Sequence, residues 1–499
     1  MIALPSMWHR PLAMLILACA VHLGLSLSFQ LSPDEAHYAL YAAHLDWSYY
    51  DHPPLVGWLQ WPFWKLGAND ALMRCVPMLS WLLTAWLLKK LTLSLYPSLK
   101  DVSWNGVRWE WCLFGLSLMP HLLGIALVPD SLLMPLTCSV MWVTWRLCQP
   151  QQVHRLGLWL SLGLLLGLSG LSKYTAVILA FGVVLALIDA HGFKLFKQLG
   201  VVWSVGLAVL CVIPVFYWNY LHDWASFTYQ IQHAAGQSSW RWLSMLRFAM
   251  VIWLAFGLVL PWVWLVGVRT PSTDQPVRDS VMSAHRLSLY FGLPSLFLWL
   301  FLSGRGSTLP HWATPCVIAL LPLGAWGCAQ VVGIRPRLLK GLLWVQAALC
   351  SVFFLLMLSG GIPSNTSSVS SPNPFADLYG WHDAAEKALA VAQSNDAQVL
   401  AVSNWTLASR LAWYARPIPV KVVNSHKDQF EIWFGEIQPS ERVIWMNWSL
   451  MDFQTPIAPH QFNRCDFLDE MPVLHWGRTL AGFQFWLCQG WQLKEVTQP

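Results

Sequence analysis

The chain has 499 residues, of which 56% are hydrophobic and 11% are charged, and its mean hydropathy is +0.47. This composition excludes an ordinary soluble protein. Together with repeated apolar runs of membrane-spanning length, it indicates a polytopic α-helical membrane protein. The net charge of +5 is spread over many loops without a basic stripe, so we expect no nucleic-acid partner.

Apolar runs along the chain predict about eleven transmembrane helices, within a range of about 11–13. The first run follows Arg10 but shows no clear small-x-small cleavage site, and many further spans follow, so we predict a retained membrane helix and not a signal peptide. The predicted spans are 11–30, 74–96, 111–128, 131–148, 156–171, 174–190, 199–220, 244–268, 287–303, 312–332 and 340–360.

The lysines and arginines are unevenly divided between the loops on the two sides. With a cytoplasmic N-terminus, the inner loops carry roughly twice as many of these residues as the outer loops, as the positive-inside rule requires. An odd number of spans then places the C-terminus outside. We therefore expect a multi-pass protein whose N-terminus is cytoplasmic and whose C-terminal domain is exported.

This topology places nearly every unusual polar stretch in an outer loop. Polar groups near a bilayer are costly, so their convergence on one face predicts an outward-facing functional site at the membrane surface. The stretches are "SPDEAHY", "YYDHPPL", "LVPDSLL" with Asp130, "LSKYT" with Lys173, "WNYLHDWASF", and "SGRGSTLPHW" with Arg305 and His311.

The composition changes after about Gly361, where "GIPSNTSSVSSPNPF" has the character of a linker. We predict a transmembrane domain over 1–362, a linker over 363–374 and a small α/β domain over 375–499. Its expected strands are "DAQVLAVSN", "ERVIWMNW" and a late strand pair in "AGFQFWLCQGWQL"; its expected helices are "WHDAAEKALAVAQ" and "WTLASRLAWYA". Cys465 and Cys488 could pair there, and the sequence leaves a disulfide open.

Two adjacent acids, Asp34 and Glu35, follow the first apolar run. "SPDE" before "AHYALYAAHL" is a good helix-capping pattern, which explains Ser32, Pro33 and one of the acids. It does not explain the other polar groups predicted on the same face. We therefore expect Asp34 to be functional, because a carboxylate at the rim of an apolar bundle is suited to activate an acceptor hydroxyl or amine.

The remaining outer-loop residues suggest roles in binding. Each basic residue alone is ordinarily a snorkelling anchor, but together they would form an electropositive pocket for a phosphate leaving group. "PPLVGWLQWPFWKL" predicts an interfacial helix with tryptophans at headgroup depth. The expected phosphate-binding residues are His52, Lys173, Arg305 and His311, and the expected substrate-binding residues are Tyr50, Asp51, Asn219, His222 and Asp223.

A metal site is a separate alternative. Asp34, Asp51 and His52, with Asp130 and His311, could supply oxygen and nitrogen ligands to a divalent cation. The sequence has no HExxH motif or similar close spacing of ligands. We therefore expect that no cofactor is required and treat a divalent cation as the less favoured alternative.

The ordered set of polar motifs resembles bacterial members of glycosyltransferase family 39. This group is related to protein O-mannosyltransferases and to the lipid A aminoarabinose transferase. The acidic pair is its most specific motif, and the resemblance covers nearly the whole chain. The motifs are "SPDEAHYALYAAHLDWSYYDHPPLVGW", "LVPDSLL", "GLSGLSKYTAV", "PVFYWNYLHDWASFTYQ", "LPHWATP" and "NWTLASRLAWYA" followed by "KDQFEIWFG".

The resemblance implies a GT-C type bundle with interfacial helices in its first outer loop, in the bacterial inner membrane. It implies an inverting transfer of a sugar from a polyprenyl-phosphate donor to a lipid, glycan or protein acceptor in the periplasm. Asp34 would then be the general base or the acid that orients the acceptor, with Glu35 beside it, and Asp130 would be the second acidic position. His52 stands where the aminoarabinose branch carries a lysine that meets the donor phosphate.

Two further function classes are weighed against this enzyme. A transporter or flippase of lipid-linked sugars would require polar residues at mid-membrane depth and helix breaks in paired positions. The sequence instead gathers its polar residues outside and shows no such repeat. An oligosaccharide ligase or polymerase of the same broad fold would differ in acceptor preference, which the sequence does not reveal.

Overall fold

The computed structural model describes residues 6–235, 239–269, 275–306, 308–362, 373–423, 427–451 and 462–492. The chain divides into two units. The first comprises Met1–Leu23, Asp46–Leu59 and Arg74–Ser351, and the second comprises Gly24–Leu45, Gln60–Met73 and Val352–Pro499.

Helices dominate the described residues, and apart from one short strand pair within 103–108 the strands lie in the C-terminal part. The helices are α1 (Ser6–Ser28), α2 (Pro33–Ala43), α3 (Leu55–Lys65), α4 (Asp70–Met73), α5 (Cys75–Leu95), α6 (Trp109–Gly115), α7 (Leu118–Ile125), α8 (Pro129–Leu147), α9 (Leu156–Ser172), α10 (Val177–His191), α11 (Leu199–Leu221), α12 (Ala225–Ala235), α13 (Trp242–Phe256), α14 (Leu260–Arg269), α15 (Gln275–Ser303), α16 (Thr314–Ile334), α17 (Pro336–Ser359), α18 (Trp381–Ser394), α19 (Trp405–Tyr414) and α20 (Gln429–Phe434). The strands are β1 (Ser103–Trp104), β2 (Val107–Arg108), β3 (Val399–Val402), β4 (Val420–Val422), β5 (Val443–Trp448), β6 (Phe462–His475) and β7 (Arg478–Trp491).

The prediction of a multi-pass membrane protein is confirmed. Seven described helical segments are long and apolar enough to cross a membrane, and the number rises to nine if two bent helix pairs each count as one span. The predicted count of eleven is not confirmed. The region predicted as the span 111–128 is divided between the short helices α6 and α7, and α9 has only 17 residues.

Two sharp bends between helices explain most of the difference between the predicted and the observed number of spans. Helices α7 and α8 meet at 115°, and α13 and α14 meet at 86°. The second bend occurs at Gly257, whose φ of +146° is accessible to glycine and costly for other residues. Hydropathy adds apolar residues across such a bend, so sequence reading predicted the single span 244–268 where the structure has two helices.

Helix α16 lies at the centre of the first unit. Most of its residues are buried, and it contacts α8, α14 and α15. Gly327 allows a close approach, because a Cβ atom there would lie 1.9 Å from the carbonyl oxygen of Val263 on α14. The 3-10 turn immediately before α16 carries one of the predicted site residues, His311.

The second unit contains a five-stranded sheet in the order β4-β3-β5-β7-β6. Strand β3 pairs in parallel with β4 and β5, whereas β7 pairs antiparallel with β5 and β6. The two predicted strands around β3 and β5 and the two predicted helices, α18 and α19, are present. The expected strand pair in "AGFQFWLCQGWQL" is wrong: residues 481–491 of this segment belong to the single strand β7, whose hairpin partner β6 precedes it.

Cys465 and Cys488 face each other across β6 and β7 and form a disulfide. Because it closes a loop with a sequence separation of 23 residues, replacing both cysteines by serine should destabilise the hairpin by about 3 kcal/mol. Hydrogen exchange of β6 and β7 measures this loss, with Cys19→Ser, at a free and half-buried thiol, as the control. Maleimide labelling of both Cys465 and Cys488 without prior reduction would contradict the pairing.

Candidate functional site

Three predicted site residues lie together in the first unit: Asp130, Lys173 and His311. Lys173 Nζ donates a hydrogen bond to Asp130 Oδ2 at 2.7 Å, and only 5% and 2% of the two side chains are exposed. His311 Nε2 lies 3.7 Å from the same oxygen, which is too far for a direct hydrogen bond. We call this group the Asp130 cluster (Asp130, Lys173 and His311).

Three helix ends position the Asp130 cluster. Asp130 is the second residue of α8, directly after the bend that follows α7, and Pro129 supplies the fixed φ of the first helical position. Lys173 directly follows the last residue of α9, Ser172, whose Oγ donates to the carbonyl of Pro129 at 2.9 Å. His311 lies in the 3-10 turn that precedes α16. Residues distant in sequence therefore converge because three helices begin or end at one place.

The buried ion pair in the Asp130 cluster calls for a functional explanation. Desolvating two charges costs several kcal/mol per ion, and mutual attraction often does no more than offset this, so such a pair is weak evidence for stability. The Lys173 ammonium also lies 5.1 Å from the Trp312 ring, a favourable cation–π distance. An ammonium has three N–H donors, so Lys173 can bind Asp130 and still donate to a phosphate oxygen.

The 46–52 segment, which precedes α3, is tied to helix α12 in the same unit. The Tyr49 carbonyl accepts a hydrogen bond from Ser226 Oγ at 2.8 Å. The Asp51 carbonyl accepts one from Gln230 Nε2 at 2.6 Å. These bonds use backbone atoms of the segment, so α12 fixes its path independently of the acidic side chain of Asp51.

Tyr174 connects the 46–52 segment with the Asp130 cluster. It follows Lys173 directly in the chain, and its buried hydroxyl lies beside the side chains of Ser48 and Asn219 and near the charge of Asp51. The predicted binding residues Asp51 and Asn219 are therefore neighbours of a residue adjacent to the cluster. Sequence analysis did not single out Tyr174, although it lies within the "LSKYT" motif.

Tyr50 and His52 flank Asp51 in the same segment. The Tyr50 ring contacts the Tyr229 ring of α12, with 5.0 Å between centroids. The His52 carbonyl accepts a hydrogen bond from the Tyr49 amide at 3.2 Å, and the His52 side chain is half-buried. Substrate contacts by these two side chains stay predictions.

The other predicted binding residues lie in turns. His222 stacks on Trp218 with 3.9 Å between ring centroids, and its Nδ1 donates to the Trp218 carbonyl at 2.8 Å. Asp223 is exposed at a φ of +52°, as expected for a tight turn between α11 and α12. Arg305 is half-buried in the turn after α15. Local contacts and turn conformation account for the positions of His222 and Asp223. The predicted binding roles of these two residues and of Arg305 stay predictions.

The acidic pair lies in the second unit, at the N-terminus of α2. The backbone N–H and the hydroxyl of Ser32 both donate to Glu35 Oε2, at 3.0 Å and 2.9 Å. This is the reciprocal side-chain contact of a capping box. Glu35 is buried, whereas Asp34 is half-exposed. Glu35 is therefore the acid that the capping pattern explains, and Asp34 is the more accessible acid of the pair.

A hydrogen-bond network that sequence analysis missed fixes the start of α2. The Tyr414 hydroxyl donates to Asp70 Oδ2 at 2.6 Å and accepts from the Leu31 amide at 2.8 Å. Trp413 Nε1 donates to the other carboxylate oxygen of Asp70 at 2.9 Å. Asp70 thereby joins the end of α19 to the segment that carries the acidic pair. No local motif signals this contact, because Asp70 and Tyr414 are far apart in sequence.

Arg410 is a buried cation of the second unit that sequence analysis also missed. Its guanidinium donates to the Asp377 carboxylate and lies 3.7 Å from the centroid of the Trp381 ring. Burial lowers the pKa of Arg410, whereas the charges of Asp377 and, more weakly, Asp34 oppose this shift. Arginine remains protonated in proteins, so Arg410 supplies a fixed positive charge near Asp34.

Replacing Arg410 should destabilise the second unit. Arg410→Met removes the charge and leaves Asp377, whose side chain is 31% exposed, without its ion-pair partner, so we expect a loss of about 1–3 kcal/mol. Arg410→Lys should lose less, because the charge remains while the stacked planar group is lost. Thermal unfolding in detergent measures both. Arg464→Met, which removes an exposed partner of Asp466, is the control and should change stability by about 1 kcal/mol or less.

Metal ligands are scarce in the part of the chain that the structure describes. There, the one group of His, Cys, Asp and Glu side chains whose ligand atoms all lie within 4.8 Å of one another is His382, Asp383 and Glu386. All three are exposed on the first turns of α18, where acids are ordinary helix-stabilising residues. This trio carries no metal proposal, and the divalent cation stays the less favoured prediction.

A cavity of about 280 Å³ opens at the other end of α8. Arg286 Nε and Asp189 Oδ2 form an ion pair in its wall at 2.9 Å. Because Cys148 follows the last turn of α8 and Asp130 lies in its first turn, this cavity is separate from the Asp130 cluster. It is lined by Trp145, Cys148, Gln149, Ala186, Asp189, Ala190, Ser283, Arg286, Leu287 and Tyr290.

A family model and two solved structures indicate the class of protein to which this chain is similar. Residues 51–218, which include Asp130 and Lys173, match the family described as dolichyl-phosphate-mannose-protein mannosyltransferase. The crystal structure of apo ArnT from Cupriavidus metallidurans aligns with a TM-score of 0.59 over 95% of this chain and 97% of that chain, at 15% identity. The structure of the same protein bound to undecaprenyl phosphate gives 0.62 over 98% and 99%, also at 15% identity.

One relative of known name is similar to this chain over part of its length. Lipid A galacturonosyltransferase RgtD from Rhizobium johnstonii is 23% identical over 297 residues. The match covers 59% of this chain and 59% of the length of that relative. Together these findings confirm the predicted resemblance to family 39 glycosyltransferases, and the solved structures show an ArnT-like GT-C fold.

Proposed function

We propose that this protein is an inverting membrane glycosyltransferase that takes its sugar from a polyprenyl-phosphate donor. The buried Asp130–Lys173 ion pair, with His311 beside it, carries the proposal. Lysine binds phosphate as a compact point charge, and a cation held in a low-dielectric site stabilises developing negative charge more strongly than one in water. Asp130 holds that cation in place before the donor arrives.

The proposed reaction is a direct displacement at the anomeric carbon. The acceptor oxygen or nitrogen attacks the face opposite the phosphate, and its new bond forms as the bond between the anomeric carbon and the phosphate oxygen breaks. The acceptor proton passes to Asp34, which acts as the general base. The electron pair leaves with the polyprenyl phosphate, whose added charge Lys173 stabilises, and the configuration at the anomeric carbon inverts.

The other predicted residues have supporting roles in this proposal. His52, Arg305 and His311 add donors for the phosphate. The sugar or the acceptor is bound by Tyr50, Asp51, Asn219, His222 and Asp223. Two of these residues, Asp51 and Asn219, lie near Tyr174, which supports their place close to Lys173. Glu35 acts by fixing the helix start that presents Asp34. The proposed chemistry needs no cofactor.

The same proposal places the reaction on the periplasmic face of the bacterial inner membrane. The distribution of lysine and arginine supports a cytoplasmic N-terminus. The Cys465–Cys488 disulfide supports an oxidising compartment for the predicted C-terminal domain over 375–499. The donor phosphate of an amphiphilic lipid lies at headgroup depth, where the outer loops of this topology gather.

The acceptor is a lipid, a glycan or a protein, and the relatives favour the first. RgtD is named as a lipid A galacturonosyltransferase, and the match to ArnT with bound undecaprenyl phosphate supports a lipid-linked donor. A glycolipid of the cell envelope is therefore the acceptor that we propose to test first.

One structural feature favours a second function, transport of a lipid-linked sugar. The described residues contain two bent helix pairs, which sequence analysis did not predict, and discontinuous helices often form transporter binding sites. Only the bend between α7 and α8 carries a charged group, Asp130, whereas the bend at Gly257 to Val259 is apolar. This asymmetry favours the enzyme.

Mass spectrometry of envelope lipids and surface glycans tests the proposed function. Host cells carry wild-type protein, no protein, or Asp34→Asn at equal membrane levels. We expect a sugar-sized mass increase on an envelope lipid with the wild-type protein alone. No mass change in any strain would contradict transfer and favour transport.

A further inference from the structure

The first and last membrane helices end at one strip of the second unit. Gln30, two residues beyond α1, donates its amide hydrogen to the Leu378 carbonyl at 3.0 Å and accepts from the Trp381 amide through Oε1 at 2.6 Å. The Tyr379 hydroxyl donates to the Met357 carbonyl in the last turn of α17 at 2.6 Å. The strip 378–381 therefore contacts the ends of two helices that are long and apolar enough to cross a membrane.

The hairpin formed by β6 and β7 is attached at the same place. His475 Nε2 donates to the Leu358 carbonyl at 2.8 Å, and the Arg478 guanidinium donates to the Ser359 carbonyl. Both satisfy backbone carbonyls that lack partners at a helix C-terminus. The His475 ring also packs on the Tyr379 ring, with 4.1 Å between centroids. These contacts fix the end of the hairpin against the last turn of a membrane helix.

The hairpin turn presents a tryptophan in an unusual conformation. His475 pairs with Arg478, so Trp476 and Gly477 form a two-residue turn with φ values of +47° and +73°. Asn or Asp ordinarily occupies the first of these positions, because positive φ is costly for a bulky side chain. Trp476 is nevertheless 71% exposed, and Leu474 on the same hairpin end is 67% exposed. The Trp476 ring stacks on the adjacent His475 ring, with 5.1 Å between centroids, yet most of the Trp476 and Leu474 surface remains exposed.

We propose that this hairpin end, Leu474 and Trp476, is inserted into the lipid headgroup region of the same membrane. Indole rings favour that region because they combine an apolar body with an N–H donor. Ile362, which follows α17 and is 75% exposed, adds a third apolar side chain at the end of that helix. Lipid is the occupant that fits, because the attachment site of the hairpin is the end of a bilayer-spanning helix.

Insertion would hold the second unit at a fixed height on the bilayer. This unit also carries α2 with Asp34, and the Gln30 contacts join the start of that segment to the strip 378–381. Resting on the proposed function, insertion of the hairpin holds the unit that carries the general base at the lipid headgroup region. The insertion itself does not depend on that reaction.

Photo-crosslinking in the full-length protein tests the insertion. A p-benzoylphenylalanine replaces Trp476, so a large aromatic group remains at the turn, and the protein is illuminated in phospholipid nanodiscs. The same group at Leu355, exposed on α17 within the membrane segment, is the positive control. The same group at Glu386, whose side chain is 70% exposed on α18, is the negative control. Mass spectrometry measures phospholipid adducts.

We expect adducts at position 476 with a yield close to that at position 355 and far above that at position 386. A yield at 476 equal to that at 386, or an adduct only with protein, would overturn the proposal. Trp476→Asn supplies a second test, because asparagine suits the turn and preserves the hairpin. It should retain the thermal stability of the wild type and lower sugar transfer in bilayers. If transfer is absent even in the wild type, the proposed function fails while the adduct result still decides the insertion.

Discussion

Asp34→Asn is expected to lower kcat/KM for sugar transfer by about 10²–10⁴-fold, the contribution typical of a general base. Asparagine has nearly the same shape but cannot take the acceptor proton at neutral pH. Asp34 is half-exposed on the first turn of α2 and its neighbour Glu35 makes the capping contacts, so we expect little change in folding. The rate of transfer by purified protein in bilayers measures the effect.

Glu35→Gln is the matched comparison, because it removes the same charge one residue away. Glutamine can still make the capping contact to Ser32, so the helix start that presents Asp34 should persist. We expect a much smaller loss of transfer than for Asp34→Asn. Equal losses in the two variants would show that net charge at the start of α2, and not proton transfer by Asp34, controls the rate.

Lys173→Met is expected to have the second large effect. It should lower the rate of transfer by about 10²–10³-fold, the cost typical of removing one donor that stabilises a developing anion. It also leaves the Asp130 carboxylate buried without its partner, which should destabilise the protein by about 3–5 kcal/mol. Transfer assays and denaturant unfolding in detergent measure the two effects separately.

The double variant Lys173→Met/Asp130→Leu separates stability from function. Replacing a buried ion pair by apolar groups of similar volume is often neutral or stabilising, so the double variant should recover the stability lost by Lys173→Met while transfer remains low. Arg286→Met, which removes the partner of Asp189 in a half-exposed ion pair, is the control with little expected effect. Recovery of transfer together with stability would show that the Asp130 cluster is only structural.

The sequence was most informative where a local pattern has a local cause. The capping pattern around Ser32 and Glu35 is such a case, since the two residues lie within one helical turn. The helices α18 and α19 and the strand β3 were also predictable from residue periodicity. The membrane class followed from the hydrophobic composition together with the repeated apolar runs of membrane-spanning length.

Contacts between segments that are distant in sequence were harder to predict. Lys173 and Asp130 are 43 residues apart on different helices, and topology could place them on one face of the membrane without showing that they form an ion pair. Arg410 lies in a helix that was predicted, but its burial against Trp381 depends on the packing of the sheet unit. The bend at Gly257 was hidden because hydropathy does not register backbone direction.

The most direct measurement follows both halves of the donor in one experiment. Purified protein in nanodiscs receives a polyprenyl-phosphate sugar and an envelope glycolipid acceptor, and mass spectrometry quantifies the free polyprenyl phosphate and the glycosylated acceptor over time. The account predicts equal amounts of both products with the wild type and almost none with Asp34→Asn. Donor that stays intact in the presence of the wild-type protein would contradict the account. Donor that also crosses a proteoliposome membrane unchanged would identify transport.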